Sequence, residues 1–213
     1  MLEIKNLVKK FDDRTIINNL SVRVEDNEIL AVVGPSGAGK TTLLRCITGL
    51  EKVNSGKFFW NGEEFDPSKM DQKNSLVGVV FQDYQLFPNL TVLDNIMLAP
   101  KLVKKMDNEV IKKTALDLLS RLGLEGKETL YPYQLSGGQK QRVALVRALA
   151  MDPKVLCYDE PTSALDPELR DEVAKIIVDL KSRELQMTQI VVTHDMEFAE
   201  KIADNILKVE QLS

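Results

Sequence analysis

The sequence predicts an α/β fold: a parallel sheet, an antiparallel β subdomain near the N-terminus, and a helical subdomain inserted between the strands of the sheet. Three observations predict it. The runs "EILAVVG", "KVLCYDE" and "TQIVVTH" are short, β-branched and continuously apolar, the pattern of strands buried on both faces. The stretches "LSVRV" and "GKFFWNGEEF" alternate as antiparallel strands do. From roughly 83 to 153 the chain reads as helices without an obvious strand.

Each element has its own punctuation. "EILAVVG" runs into the glycine-rich "GPSGAGKTT" and then an amphipathic helix. Asn61-Gly62 marks a hairpin turn within "GKFFWNGEEF". "VVFQ" ends a strand at Gln82. "TVLDNIMLA" has capping-box spacing from Thr91 to Asp94, with Asp in place of the usual Glu or Gln. The Ser-Gly-Gly turn of "YQLSGGQKQRVALVRALA" opens a helix with a buried face of Val143, Val146 and Ala150 together with Leu145 and Leu149; Lys140, Arg142 and Arg147 keep contact with solvent. "LDPELRDEVAKIIVDLKS" is a helix capped by Asp166 with Pro167 at its first position. "TQIVVTH" gives way to a helix capped by Asp195, and "NILKVE" is a last strand. The expected organisation is a single domain over 1–213: a core from 1–82 and 154–213, and a helical subdomain over 83–153.

Composition narrows the function classes. The 213 residues are 44% hydrophobic and 28% charged, as in an ordinary globular protein. With 28 Lys+Arg against 32 Asp+Glu, there is no excess of positive charge to hold nucleic acid, and none is expected as a partner. The start "MLEIKNLVKKF" is not a signal peptide and no apolar stretch approaches a membrane span, so a soluble cytosolic protein is expected. Cys46 and Cys157 have no metal-ligand spacing and sit in apolar patterns, as small buried thiols do.

"GPSGAGKT" fits the phosphate-binding pattern G-x-x-x-x-G-K-[ST] between a buried strand and a helix. Its glycines let backbone N–H groups curl around an anion, and the helix N-terminus adds a favourable dipole. Lys40 is placed to reach the β- and γ-phosphates, and Thr41 to offer its hydroxyl to Mg²⁺. Asp159, ending "VLCYD", is a second metal ligand, and Glu160 can polarise an attacking water. His194, the only histidine, ends a strand predicted to face the nucleotide, where it can contact the γ-phosphate. A second possible anion cradle, Ser136-Gly137-Gly138, lies about a hundred residues after the first, which one nucleotide in one chain does not explain.

These residues together resemble the nucleotide-binding subunit of an ATP-binding cassette (ABC) transporter, over nearly the full chain. Gly34, Pro35, Ser36, Gly37, Ala38, Gly39, Lys40 and Thr41 match the family's Walker A motif, with Thr42 following. Gln82 matches the Q-loop, and Leu135, Ser136, Gly137, Gly138 and Gln139 the "LSGGQ" signature. Val155 to Asp159 match the Walker B strand, Glu160 the catalytic glutamate, Ser163 to Asp166 ("SALD") the D-loop, and His194 the switch histidine. Phe11 stands where the family often has a Tyr on adenine, and Ile16 packs nearby. "LLRCITGLE", "VVFQDYQLFPNLTVLDNIMLAP" and "YPYQLSGGQKQRVALVRALAMDP" are most similar to ATPase subunits of bacterial importers for polar amino acids. Relatives usually continue past the "NILKVE" strand into another strand and helix.

The resemblance implies a P-loop NTPase that uses ATP and Mg²⁺, with Glu160, His194 and Gln82 as catalytic residues and Thr41, Gln82 and Asp159 at the metal. ATP is held by the Walker A residues, Phe11, Ile16, Gln82, Asp159, Asp166, His194 and, from a second copy packed head to tail, the signature residues. It implies a transmembrane permease as partner, docked through "DYQLFPNL", with an extracytoplasmic solute-binding protein in the same system. The protein would then lie on the inner face of the membrane. The same chemistry also serves ABC ATPases that drive a cell-envelope or division complex, where only the partner differs.

Overall fold

The computed structural model describes residues 1–69, 76–163, 165–181 and 186–210. Ala164 of "SALD", Ser182 and the closing Gln211, Leu212 and Ser213 lie outside them. Strands β1 (Leu2–Phe11) and β2 (Arg14–Val24) form an antiparallel hairpin about Asp12-Asp13. β3 (Ile29–Val33) follows, then α1 (Lys40–Ile47). β4 (Ser55–Trp60) pairs with β1 and turns at Asn61-Gly62 into β5 (Glu63–Phe65), giving the order β2-β1-β4-β5. Asn61 and Gly62 have φ of 50° and 84°, the left-handed pair that an Asn-Gly hairpin turn adopts.

The second sheet is parallel throughout. Its order is β6-β7-β8-β3-β9, with β6 (Val77–Val80), β7 (Val155–Asp159), β8 (Thr188–Thr193) and β9 (Asn205–Lys208). The three inner strands, β7, β8 and β3, are buried at every residue, which is why their sequences are apolar without alternation. Alternate residues serve opposite faces. Val155 and Cys157 pack towards α1 and the antiparallel sheet, alongside Leu44, Leu2 and Phe58. Leu156 and Tyr158 pack the other way, towards three further helices: α4 (Gly137–Leu149), α5 (Pro167–Leu180) and α6 (Met196–Ile202).

Residues 83–153 contain α2 (Val92–Ala99), a π turn (Pro100–Lys104), α3 (Asn108–Arg121) and α4, with no strand. Val92, Ile96, Ala115, Leu119, Val143 and Val146 form a core of their own there. The sequence suggested one buried face for α4; the structure gives it two. Val143, Val146 and Ala150 pack in the helical core, whereas Ala144, Leu145, Ala148 and Leu149 pack beneath the parallel sheet. Arg147 keeps contact with solvent but is partly buried, and its guanidinium donates to the carbonyls of Tyr84 (2.8 Å) and Gln85 (2.6 Å). Those two residues are both left-handed, with φ of 60° and 46°.

Two caps act as the sequence implies, one with a variation. Asp166 accepts the Leu169 N–H at 3.0 Å, with Pro167 at the first position of α5. Thr91 accepts the Asp94 N–H at 3.1 Å, but the Asp94 carboxylate takes the Thr91 hydroxyl at 2.6 Å. Asn95, fully buried in α2, accepts the Phe87 N–H at 2.8 Å and donates to the carbonyls of Phe87, Leu90 and Thr91. The segment after Gln82 is therefore held from both sides.

Candidate active site

Parallel order brings the C-terminal ends of β3, β7 and β8 to one edge, where α/β sheets hold their ligands. The loop from Gly34 to Gly39 leaves β3 there and ends in α1. Gly37 and Gly39 have φ of 82° and 92° and Gly39 caps the helix, so the curl of the loop needs conformations that side chains resist. Gly34 answers a different demand: a Cβ on it would lie 2.1 Å from the Val209 carbonyl oxygen.

A cleft of about 320 Å³ opens over this loop. Its lining includes Phe11, Ile16, Ser36, Gly37, Gly39, Lys40, Thr41, Thr42 and Gln82, nine of the residues expected on the nucleotide, together with Glu160. Lys40 is buried and donates to the carbonyls of Gly34 (2.7 Å) and Pro35 (2.9 Å), 3.7 Å from Glu160 Oε1. Thr41 Oγ1 donates to Asp159 Oδ1 at 2.9 Å. Burial raises the Asp159 carboxyl above its ordinary value, against the lowering effect of that hydrogen bond. Glu160 sits just past β7 at φ 48° and turns Oε2 towards His194, 2.8 Å from Nδ1 and 3.3 Å from the backbone N–H. Pro35 lies on the exposed rim and Ala38 points into the core beneath.

The signature residues stand elsewhere. None of Leu135 to Gln139 lines the cleft. Leu135 is buried in the helical core, while Ser136 and Gln139 cap α4 reciprocally, each side chain taking the other's backbone N–H at 3.3 and 3.0 Å. Ser136 and Gly137 are exposed. Asp166 caps α5 and likewise does not line the cleft.

Sequence reasoning missed Arg14, which also lines the cleft. It pairs with Phe11 across the Asp12-Asp13 turn, and only the register of that hairpin could have placed it. Lys9 was missed too: its ammonium lies 4.2 Å from the Phe11 ring centroid and is anchored to Glu51 at 2.7 Å. A cation over one face of the ring holds it in place.

Strand, glycine-rich loop and helix, facing an acidic strand end and a glutamate, define a P-loop nucleoside triphosphatase. Within that class, the chain belongs to the ABC transporter family, whose model matches residues 17–163. It is 44% identical over 213 residues to the glutamine transport ATP-binding protein GlnQ of Escherichia coli (strain K12), covering 99% of this chain and 88% of that one. It is 45% identical to the arginine transport ATP-binding protein ArtM of Bacillus subtilis (strain 168), covering 99% and 88%. Among solved structures, the dimeric post-hydrolysis state of the ATP-binding cassette MJ0796, bound to ADP and Pi, matches with a TM-score of 0.84 and 31% identity over 99% of this chain and 94% of that one. The chain is thus an ATP-binding, ATP-hydrolysing subunit of this family.

Proposed function

We propose that this subunit powers a membrane importer for polar amino acids, working as two identical copies beneath a transmembrane permease. The observation that carries the reading is a separation: a complete P-loop cleft on one side of the chain and, outside it, an exposed and capped N-terminus of α4. A second copy packed head to tail would bring each α4 terminus to the other's cleft, as closed two-fold assembly allows. Relatives named for glutamine, arginine and cystine transport support the substrate class. Among the described residues no helix is long and apolar enough to cross a membrane, and the proposal gives that role to the permease, on whose inner side the chain sits. An outer solute-binding protein completes the system. Within "DYQLFPNL", Tyr84 and Leu86 pack inward while Phe87 is 47% exposed, so Phe87 is the apolar contact offered to the permease. Residues 83–153 act as the helical signature unit on the nucleotide core.

The geometry supports a role for each residue. Thr41 and Asp159 present hard oxygen donors side by side, a pair that fits Mg²⁺, and Gln82 on the cleft wall would add a third protein ligand. When bound, the ion neutralises charge on the phosphates. Lys40 exchanges the carbonyls of Gly34 and Pro35 for phosphate oxygens. Glu160 accepts the proton of the attacking water, and His194 orients its carboxylate. Two γ-phosphates gripped from both sides favour the closed pair, and hydrolysis removes that preference.

Glu160→Gln tests this reading, because an amide cannot accept the proton. ATP turnover should fall on the order of 10²–10⁴-fold with ATP binding intact, and an ATP-bound pair should accumulate on a sizing column. Turnover at the wild-type rate would remove Glu160 from the mechanism.

A further inference from the structure

Gln141 lies in the second turn of α4 and is 6% exposed. Its Nε2 donates to the Pro161 carbonyl at 2.7 Å, in a wholly buried bond. Pro161 follows Glu160, and this turn is already fixed at two points: the Glu160 N–H donates to Val192 O at 2.9 Å and the Glu160 carbonyl accepts the Ser163 N–H at 3.3 Å. The other end of the same amide, Oε1, is buried without a hydrogen-bond partner. An orphaned buried acceptor is unfavourable, and an apolar side chain of the same shape would fill the space without it. What an apolar side chain could not supply is the bond to Pro161.

We propose that Gln141 is a positioning residue that ties the Glu160 turn to α4, so that each copy's Glu160 is set by the ATP in the other copy's cleft. This rests on the head-to-tail pairing proposed above. Ser136 and Gln141 are five residues apart on one helix, roughly 7.5 Å at the α-helical rise. A shift of the α4 terminus on meeting the partner's phosphate is therefore carried along a stiff element to Pro161 and to the adjoining glutamate. The two active sites of a pair are thereby linked, and hydrolysis rises with ATP more steeply than for independent sites.

The test is the ATP dependence of turnover in the full chain. Wild type should give a Hill coefficient above 1, with about 2 as the limit for two sites. Gln141→Met keeps the volume and removes the donor; Gln141→Glu keeps the shape and turns it into an acceptor facing a carbonyl. Either variant should still pair with ATP on a sizing column, while its Hill coefficient falls below the wild-type value, the remainder coming from pairing itself. A merely structural Gln141 would move the melting temperature and the maximal rate but leave the Hill coefficient where it was, and that result overturns the proposal. So does a wild-type coefficient of 1, which needs no variant to fold, or loss of pairing in folded variants. Failure of the wild type itself to pair with ATP would instead sink the reading on which the proposal rests.

Discussion

His194 touches Glu160 twice, through Nδ1 and through its backbone N–H, yet its own side chain is 59% exposed at the mouth of the site. His194→Ala should therefore cost turnover and little stability: about 10²–10³-fold if the imidazole orients a group in the transition state. An unchanged rate with a lowered melting temperature would make His194 a structural loop residue. The cysteines behave oppositely. Burial pushes the Cys46 thiol up to about 11 and the Cys157 thiol up to about 12, so neither forms the reactive thiolate near neutral pH. Both should resist a thiol-alkylating reagent in the native protein and react in denaturant; fast native labelling would contradict their burial. That Lys40, Thr41, Asp159, Glu160 and His194 lie together was legible in the sequence, because loop and strand ends declare themselves locally. Arg14 and Gln141 were not, since the first depends on hairpin register and the second on where a distant turn comes to rest.

Among the elements, α2 shows how much one polar side chain can organise. Asn95→Ala leaves the Phe87 N–H and the Phe87 and Leu90 carbonyls without their side-chain partner. Stability should drop by roughly 2–3 kcal/mol, read as a lower urea midpoint, with faster amide exchange across 86–91. A midpoint indistinguishable from wild type would mean that this loop is not held by Asn95. The inner strands and the caps at Thr91 and Asp166 were readable from apolar runs and spacing. The two faces of α4 were not: its apolar residues run nearly all round, and sequence alone does not say that one set meets a sheet and the other meets α2 and α3. Nor does it give the order β6-β7-β8-β3-β9, which depends on which buried strand lies beside which.

At the scale of the whole molecule, the separation of cleft and α4 terminus can be tested by mixing. Lys40→Ala spoils the P-loop and Ser136→Arg blocks the terminus, and each alone should be nearly inactive. If the terminus acts across the pair, a mixed pair contains one composite site in which both parts are intact, and ATP-dependent pairing should return with up to about one ATP per mixed pair. If both variants fold and wild type pairs under the same conditions, a mixture that never pairs would mean that the terminus acts within its own chain. The sheet order also bears on how the protein is made. β3, which begins the P-loop, is flanked by β8 and β9, and both lie near the end of the chain. A ribosome adding about 5–20 residues per second needs on the order of 8–30 s to pass from β3 to β8, and for that interval "ILAVV" has neither neighbour. Nascent chains halted before Thr188 should stay sensitive to protease and bind chaperones that shield apolar segments. The strand on which ATP depends is among the last to find its place.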